Sequence, residues 1–278
     1  MNLNTNFPNC LDPLFISNFF DIYNSSTGKY NNENYYICDD WGKKIDGPEV
    51  TYKINKNGFR SNHFIPLKEE NFNILYGGCS WTFGQGLPEE MTWTYQVTNG
   101  IKKQLNKNVV DYNTAFPSSS IDLIIKNTMA FIRNYGKPDV IFLCFPDFGR
   151  KIKYNKKQYE IFNASKHWLD EKNERQKQYV LSYKNEDNLL DFSLLIHLFE
   201  DYCESSKIKL IWSNWAMPDY IGGPYKNLKI IDSWKMLESK QIDDLPYWRF
   251  GSDGAHPGRA WTPPYSKKML TYFNEFGI

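Results

Sequence analysis

Phe72-Asn73-Ile74-Leu75-Tyr76-Gly77-Gly78-Cys79-Ser80-Trp81-Thr82-Phe83-Gly84-Gln85-Gly86 is the stretch on which the fold turns. Its first half is a short apolar run that stops at two glycines, the pattern of a buried strand meeting a turn. Glycines around Ser80 let the backbone bend sharply from strand to helix and leave the hydroxyl exposed. An exposed hydroxyl at a strand end is where a nucleophile belongs. Alone, the same pattern also describes an ordinary turn serine.

Downstream, the apolar spacing alternates between two periods. Thr92 to Leu105 has helical spacing, and Val109-Val110-Asp111-Tyr112 reads as a second strand. From Ser120 to Tyr135, Ile121, Ile124, Ile125, Thr128 and Ile132 share one helix face. Pro138-Asp139 opens the clearest strand, Val140 to Phe145, apolar throughout as a central parallel strand should be. Helix resumes near Leu189–Ser205, Ile208 to Trp212 is a fourth strand, and Leu228 to Ile231 is a fifth. A helix from about Tyr265 to Phe276 closes the chain. This order predicts an α/β fold with a mostly parallel five-stranded sheet covered on both faces, its site at the carboxyl ends of the strands.

Two regions break the rhythm. Residues 1–70 are rich in Asn, Tyr and Asp with weak periodicity, and read as an irregular N-terminal extension. Its apolar residues (Leu14, Phe15, Ile16, Phe19, Phe20, Ile22) argue that it packs on the core domain of residues 71–278. Residues 150–187 are polar and charged, and read as an insertion, a helical cap over the site.

Composition excludes several classes. Lysine and arginine number 33 against 32 acidic residues, a net charge of +1. That balance carries no footprint for nucleic acid or an anionic membrane. The five cysteines are scattered without a CxxC pair, and the four histidines lack zinc spacing. Reduced thiols, a cytoplasmic setting and no metal or organic cofactor are therefore expected. The N-terminal residues lack a signal-peptide pattern, and no apolar run reaches membrane-spanning length.

Far from Ser80, Asp253-Gly254-Ala255-His256-Pro257-Gly258 lies before the last helix. An Asp and a His three residues apart on one turn can share a hydrogen bond. The imidazole's other nitrogen is then left to accept a serine proton. A simple hydrogen-bonded turn is the competing reading. GxSxxxG after the first strand and DxxH before the last helix resemble the first and last blocks of the SGNH/GDSL hydrolases. Two further stretches resemble a bacterial and phage subgroup of that family. Ile54-Asn55-Lys56-Asn57-Gly58-Phe59-Arg60 is similar to its lead-in, and Glu90-Met91-Thr92-Trp93 to the start of its next helix.

The resemblance spans roughly residues 52–278 and implies a flavodoxin-like three-layer α/β/α fold and a catalytic triad. In it Ser80 is nucleophile, His256 general base and then acid, and Asp253 the orienter. The backbone N–H of Ser80 would contribute to the oxyanion hole. Cys79 replaces the family's usual acid before the serine; as a rival nucleophile it is disfavoured, because its side chain should point into the core.

The middle blocks depart from the family. The second-block oxyanion glycine falls on Ser118 in the stretch Asn113 to Ser118. The third-block Gly-x-Asn-Asp becomes Phe145-Pro146-Asp147-Phe148-Gly149-Arg150, so the side-chain amide donor is missing where Asp147 stands. Losing one such donor costs roughly 10²–10³ in rate; Arg150 and Asn214 are the candidates to replace it. Trp81, Asn113, Asp147, Arg150 and Asn214 are candidate substrate contacts.

The nine tryptophans are unusual. Trp212, Trp215, Trp234, Trp248 and Trp261 fall near strand ends and the DxxH turn, where they could stack on sugar rings or simply pack the core, the commoner use. His63, His167 and His197 show no partner spacing, and His197 reads as structural.

Three functions follow from these residues. The first is an esterase or deacetylase acting on a small acyl ester, with an O-acetylated glycan as one substrate. The second is a weakly active or non-catalytic SGNH-like structural or binding protein, for instance in an oligomer or a phage virion. The third is an O-acyltransferase.

Overall fold

The computed structural model describes residues 29–31, 34–38, 50–55, 57–155, 158–163, 174–182, 185–215, 227, 229, 256–258 and 260–277. Its centre is a four-stranded parallel sheet of β4 (Phe72–Gly78), β5 (Val109–Asn113), β6 (Val140–Phe145) and β9 (Lys209–Asn214), ordered β5-β4-β6-β9. The first of these in sequence thus lies inside the sheet, and its carboxyl end carries the serine turn.

Period-two alternation in the strands divides the core into two layers. Ile74 and Tyr76 of β4, Val140 and Phe142 of β6, and Ile211 of β9 face one side. There they meet Trp93, Val97 and Ile101 of α2 (Trp93–Gln104) and Tyr265, Met269 and Phe273 of α6 (Thr262–Asn274). Leu75, Ile141, Leu143, Phe145, Leu210 and Trp212 face the other. They pack on Ile121, Ile124 and Phe131 of α3 (Ile121–Tyr135) and on Phe192, Ile196 and Phe199 of α5 (Asn185–Ser205). The result is the three-layer α/β/α arrangement expected from the sequence.

The helices sit almost where their spacing puts them. Thr92 caps α2, its Oγ1 accepting from the Tyr95 N–H at 3.3 Å. Consecutive prolines, Pro263 and Pro264, fall in the first turn of α6, where their missing N–H groups cost nothing. Among the described residues the sheet has four strands where the sequence suggested five; beyond β9 two backbone hydrogen bonds reach it, Trp212 N–H donating to Asn227 O (3.2 Å) and Lys229 N–H to Trp212 O (2.8 Å). The remainder of Leu228 to Ile231 lies outside the described residues.

Both irregular regions contain regular elements among the described residues. Within the N-terminal extension, β1 (Lys29–Asn31), β2 (Asn34–Cys38) and β3 (Thr51–Asn55) form an antiparallel sheet. Val50, Tyr52 and Ile54 bury against Phe83, Leu87 and Ala115, so this sheet backs the serine turn. The insertion is not a helical cap alone. It opens with a hairpin, β7 (Arg150–Asn155) and β8 (Gln158–Asn163), before the short helix α4 (Glu174–Ser182). Tyr179 Oη donates to Gly149 O (3.1 Å) and packs on Phe162, tying α4 to the hairpin.

Candidate active site

Ser80 is the first residue of α1 (Ser80–Phe83), a single turn whose C-cap, Gly84, takes the left-handed φ of 76°. Two glycines make this turn geometrically possible. A Cβ on Gly78 would overlap the Thr82 side chain and crowd Cys144 O at 3.0 Å, so only glycine lets α1 pack this close to β4 and β6. At Gly84 the positive φ and the adjacent Thr92 side chain exclude other residues.

The turn is braced from behind by a residue whose role the sequence alone did not disclose. Arg60, 7% exposed, donates from Nη1 to Phe83 O (3.2 Å) and Gly84 O (2.7 Å), and from Nη2 to Leu87 O (2.9 Å). Its guanidinium lies over the Tyr52 ring at 4.7 Å. Phe83 O and Gly84 O close the end of α1, Gly84 O also accepting from the Leu87 N–H at 3.2 Å, and Leu87 O lies in the loop beyond. Asn55 holds the loop that delivers Arg60, its Oδ1 accepting from the N–H groups of Asn57 (2.9 Å) and Phe59 (3.1 Å). The lead-in motif is therefore a brace for the serine turn. Tyr52 Oη, accepting from the Gly86 N–H at 2.7 Å, completes it.

Ser80 itself is only 4% exposed, which corrects the expected open hydroxyl. A tryptophan distant in the chain lies against this turn. Trp215 stacks on Trp81 with ring centroids 4.5 Å apart and planes 9° from parallel, and its Nε1–H donates to Cys79 Sγ at 3.3 Å. Both neighbours of Ser80 thus lie against one indole. Ser80 Oγ makes a long contact, 4.0 Å, to Cys79 Sγ. Cys79 is fully buried among apolar side chains, as expected of the residue before the serine. Behind it, burial pushes the Cys144 thiol up to about 12, with Cys79 adding to the effect, so Cys144 stays a neutral thiol. Burial also raises Tyr265, whose Oη shares a 2.6 Å hydrogen bond with Ser213 Oγ.

His256 is half-buried just before α6 and makes no hydrogen bond to Ser80 among the described residues. Asp253 lies outside them. What joins the two ends of the chain here is aromatic: Trp81 packs edge-on against Trp261 (4.9 Å, 79°), five residues beyond His256. Trp261 in turn stacks on Tyr265 at 4.2 Å. The fully buried Trp212 and Trp261 are therefore core residues and cannot serve as a sugar platform. Trp234 and Trp248 lie outside the described residues.

The second-block loop continues the pairing of β5 with β4 past its end. Thr114 N–H donates to Tyr76 O (2.8 Å) and Phe116 N–H to Gly78 O (3.1 Å), drawing the loop alongside the serine turn. Ser118 follows with φ of 61°, the left-handed conformation that glycine adopts without penalty. Asn113 acts as a strut here: Nδ2 donates to Thr82 O (3.2 Å) and Oδ1 accepts from Ala115 N–H (2.9 Å). On the same strand, burial raises the Asp111 carboxyl above its ordinary value, opposed by Lys102 and reinforced by Glu89.

The third-block turn is built differently. Asp147 Oδ1 accepts from the Gly149 N–H at 2.5 Å, so its carboxylate closes its own turn. Asn214, buried at the end of β9, donates from Nδ2 to Pro146 O (3.0 Å) and fastens that turn to the sheet. Arg150 lies with its guanidinium 5.7 Å from the Trp215 ring. His197, on α5, approaches the buried carboxylate of Glu200 at 4.0 Å. Glu200 Oε1 also accepts from Trp212 Nε1–H (2.9 Å) and Asn227 N–H (2.9 Å), an arrangement remote from Ser80 in the chain and structural in character.

Fold and turn together define an α/β/α protein that carries a buried serine at the carboxyl end of its first core strand. In fold it is similar to solved esterases and lipolytic proteins. One is the psychrotrophic esterase EstA from Pseudoalteromonas sp. (11% identity, TM-score 0.44, covering 74% of this chain and 98% of that one). Another is described as a putative lipolytic protein of the G-D-S-L family from Desulfitobacterium hafniense (15%, 0.42, 73% and 99%). A third is a lipase/acylhydrolase from Enterococcus faecalis (15%, 0.41, 73% and 96%). No family model matches the sequence, and no curated protein does. Among the described residues, no helix is long and apolar enough to cross a membrane, and no cluster of His, Cys, Asp and Glu could hold a metal ion.

Proposed function

We propose that this chain is a serine hydrolase of the SGNH type acting on a small acyl ester, an O-acetylated glycan among the candidates, through Ser80, His256 and Asp253. The observation that carries the reading is the edge-on packing of Trp81 on Trp261. It ties the residue after the candidate nucleophile to the helix entered directly from the His256 turn.

In this reading Ser80 Oγ attacks the acyl carbonyl carbon while His256 takes its proton. Charge collects on the former carbonyl oxygen, facing the N–H groups of Ser80 and Ser118. As first residue of α1, Ser80 has an N–H with no intrahelical acceptor, and left-handed Ser118 supplies the backbone turn of a glycine. His256 then protonates the departing alkoxide, and water releases the acyl group by the same steps. The hydrogen bond between Ser80 and His256 would form in the substrate complex, since catalytic hydrogen bonds commonly tighten only then.

A second reading, a domain of the same fold that binds or assembles without turnover, is favoured by the burial of Ser80 and its contact with Cys79. Hydrolysis of p-nitrophenyl acetate separates the two. Under the hydrolase reading the wild-type protein turns the ester over, and Ser80→Ala lowers the rate at least about 10³-fold with an unchanged melting temperature. Equal rates for the two proteins would support the second reading.

A further inference from the structure

Arg150 is a cation in an unfinished environment. Its Nε and Nη1 are buried and have no hydrogen-bond partner among the described residues. Among the described residues it forms no ion pair, and Asp147, the acid nearest in sequence, is committed to the Gly149 N–H. Among the described residues it meets the Trp215 face at 5.7 Å. A guanidinium stays charged at any accessible pH. Holding two of its donors out of water without partners costs more than one aromatic face returns. A buried donor set of this kind lacks an anion.

Its place in the fold says which anion. Arg150 opens β7 directly after the turn at the carboxyl end of β6, and β6 pairs with β4, the strand that ends at Ser80. Trp215, immediately after β9, spans the interval: it contacts Arg150 and stacks on Trp81. Arg150, Trp215 and Trp81 thus form a chain of contacts at the carboxyl ends of the core strands, ending at the residue after Ser80. We infer that Arg150 is a specificity residue that binds an anionic oxygen group, carboxylate or phosphate, carried by the acyl ester at a position removed from the scissile carbonyl. The word ester rests on the proposed hydrolase function; the anion subsite rests on Arg150 itself.

The test uses Ser80→Ala protein, in which binding is measured without turnover. Calorimetric titration compares monomethyl succinate, dimethyl succinate and inorganic phosphate. The expected result is binding of monomethyl succinate or phosphate at least about tenfold tighter than of dimethyl succinate, weakened by added salt. A further Arg150→Gln change should abolish the preference, and Arg150→Lys should restore part of it. Preference for monomethyl succinate assigns a carboxylate, and preference for phosphate a phosphate. Arg150→Gln should also melt at or above the parent temperature, because it removes an uncompensated charge. Equal binding of all three probes, a preference that survives Arg150→Gln, or a marked fall in its melting temperature would overturn the inference. Ester hydrolysis by the protein with Ser80 intact is scored separately, so a failure of the hydrolase reading remains distinguishable.

Discussion

The two turns that face each other across β4 and β6 are built on opposite terms. At the serine turn nearly every demand is met from within the chain. Arg60 closes three carbonyls, Tyr52 takes the Gly86 N–H, Asn113 holds Thr82 O, and Gly78 admits α1 against the sheet. At the turn after β6, Asp147 and Asn214 fasten the backbone, yet among the described residues two buried donors of Arg150 go unanswered. The first turn is fixed before any ligand arrives. The second is complete only with one. A site divided in this way places its chemistry on the rigid side and its selectivity on the other.

Breaking the rigid side should produce the largest effects. Ser80→Ala removes the proposed nucleophile and should lower esterase rate by at least about 10³-fold, read by steady-state kinetics. Arg60→Ala should cost about 3 kcal/mol in urea denaturation, because it strips three buried carbonyls of a charged donor, and should lower activity with it. Arg60→Lys should recover little, as one ammonium cannot span the same carbonyls.

On the other side, Asp147→Asn puts an amide at a position already engaged with Gly149. It should change the rate by less than about tenfold, well short of the 10²–10³ that a direct oxyanion donor commands. A larger gain would place Asp147 at the reacting oxygen and weaken the contrast between the turns. Ser118→Gly relieves a left-handed residue and should raise stability by up to about 1 kcal/mol without loss of activity.

The smallest effect concerns Asp111, on the strand that steadies the serine turn. Its folded-state pKa is raised, chiefly by burial. The native state therefore favours the protonated carboxyl. The stability it contributes is fully present below the unfolded value, near pH 4, and is lost as pH rises through the raised value. Asp111→Asn should be the more stable protein at pH 7 and should converge with wild type in acid, as thermal melts across that range will show.

Much of this was legible in sequence where a strong period governs. The central strands are apolar on both faces, α3 keeps one apolar face through fifteen residues, and the glycines at Gly78 and Gly84 mark the serine turn. Weaker periods were overridden by composition. In β3, Thr51 and Lys53 alternate with Tyr52 and Ile54. In β7, Lys151 and Lys153 alternate with Ile152 and Tyr154. Both are period-two signals hidden among polar residues. Arg60 stood in a recognisable motif, but its purpose depends on carbonyls 23 to 27 residues away, which no local pattern discloses. The contacts of Trp215 with Cys79 and Trp81, on either side of Ser80, likewise join residues more than a hundred positions apart in the chain.

Under the proposed function Ser80 is an activated nucleophile served by His256. Labelling of the purified protein with a fluorophosphonate probe tests it most directly, comparing wild type with Ser80→Ala and His256→Ala. Labelling of wild type that disappears in both variants is the predicted result. Folded wild-type protein that takes no label, or labelling that survives in Ser80→Ala, would contradict it.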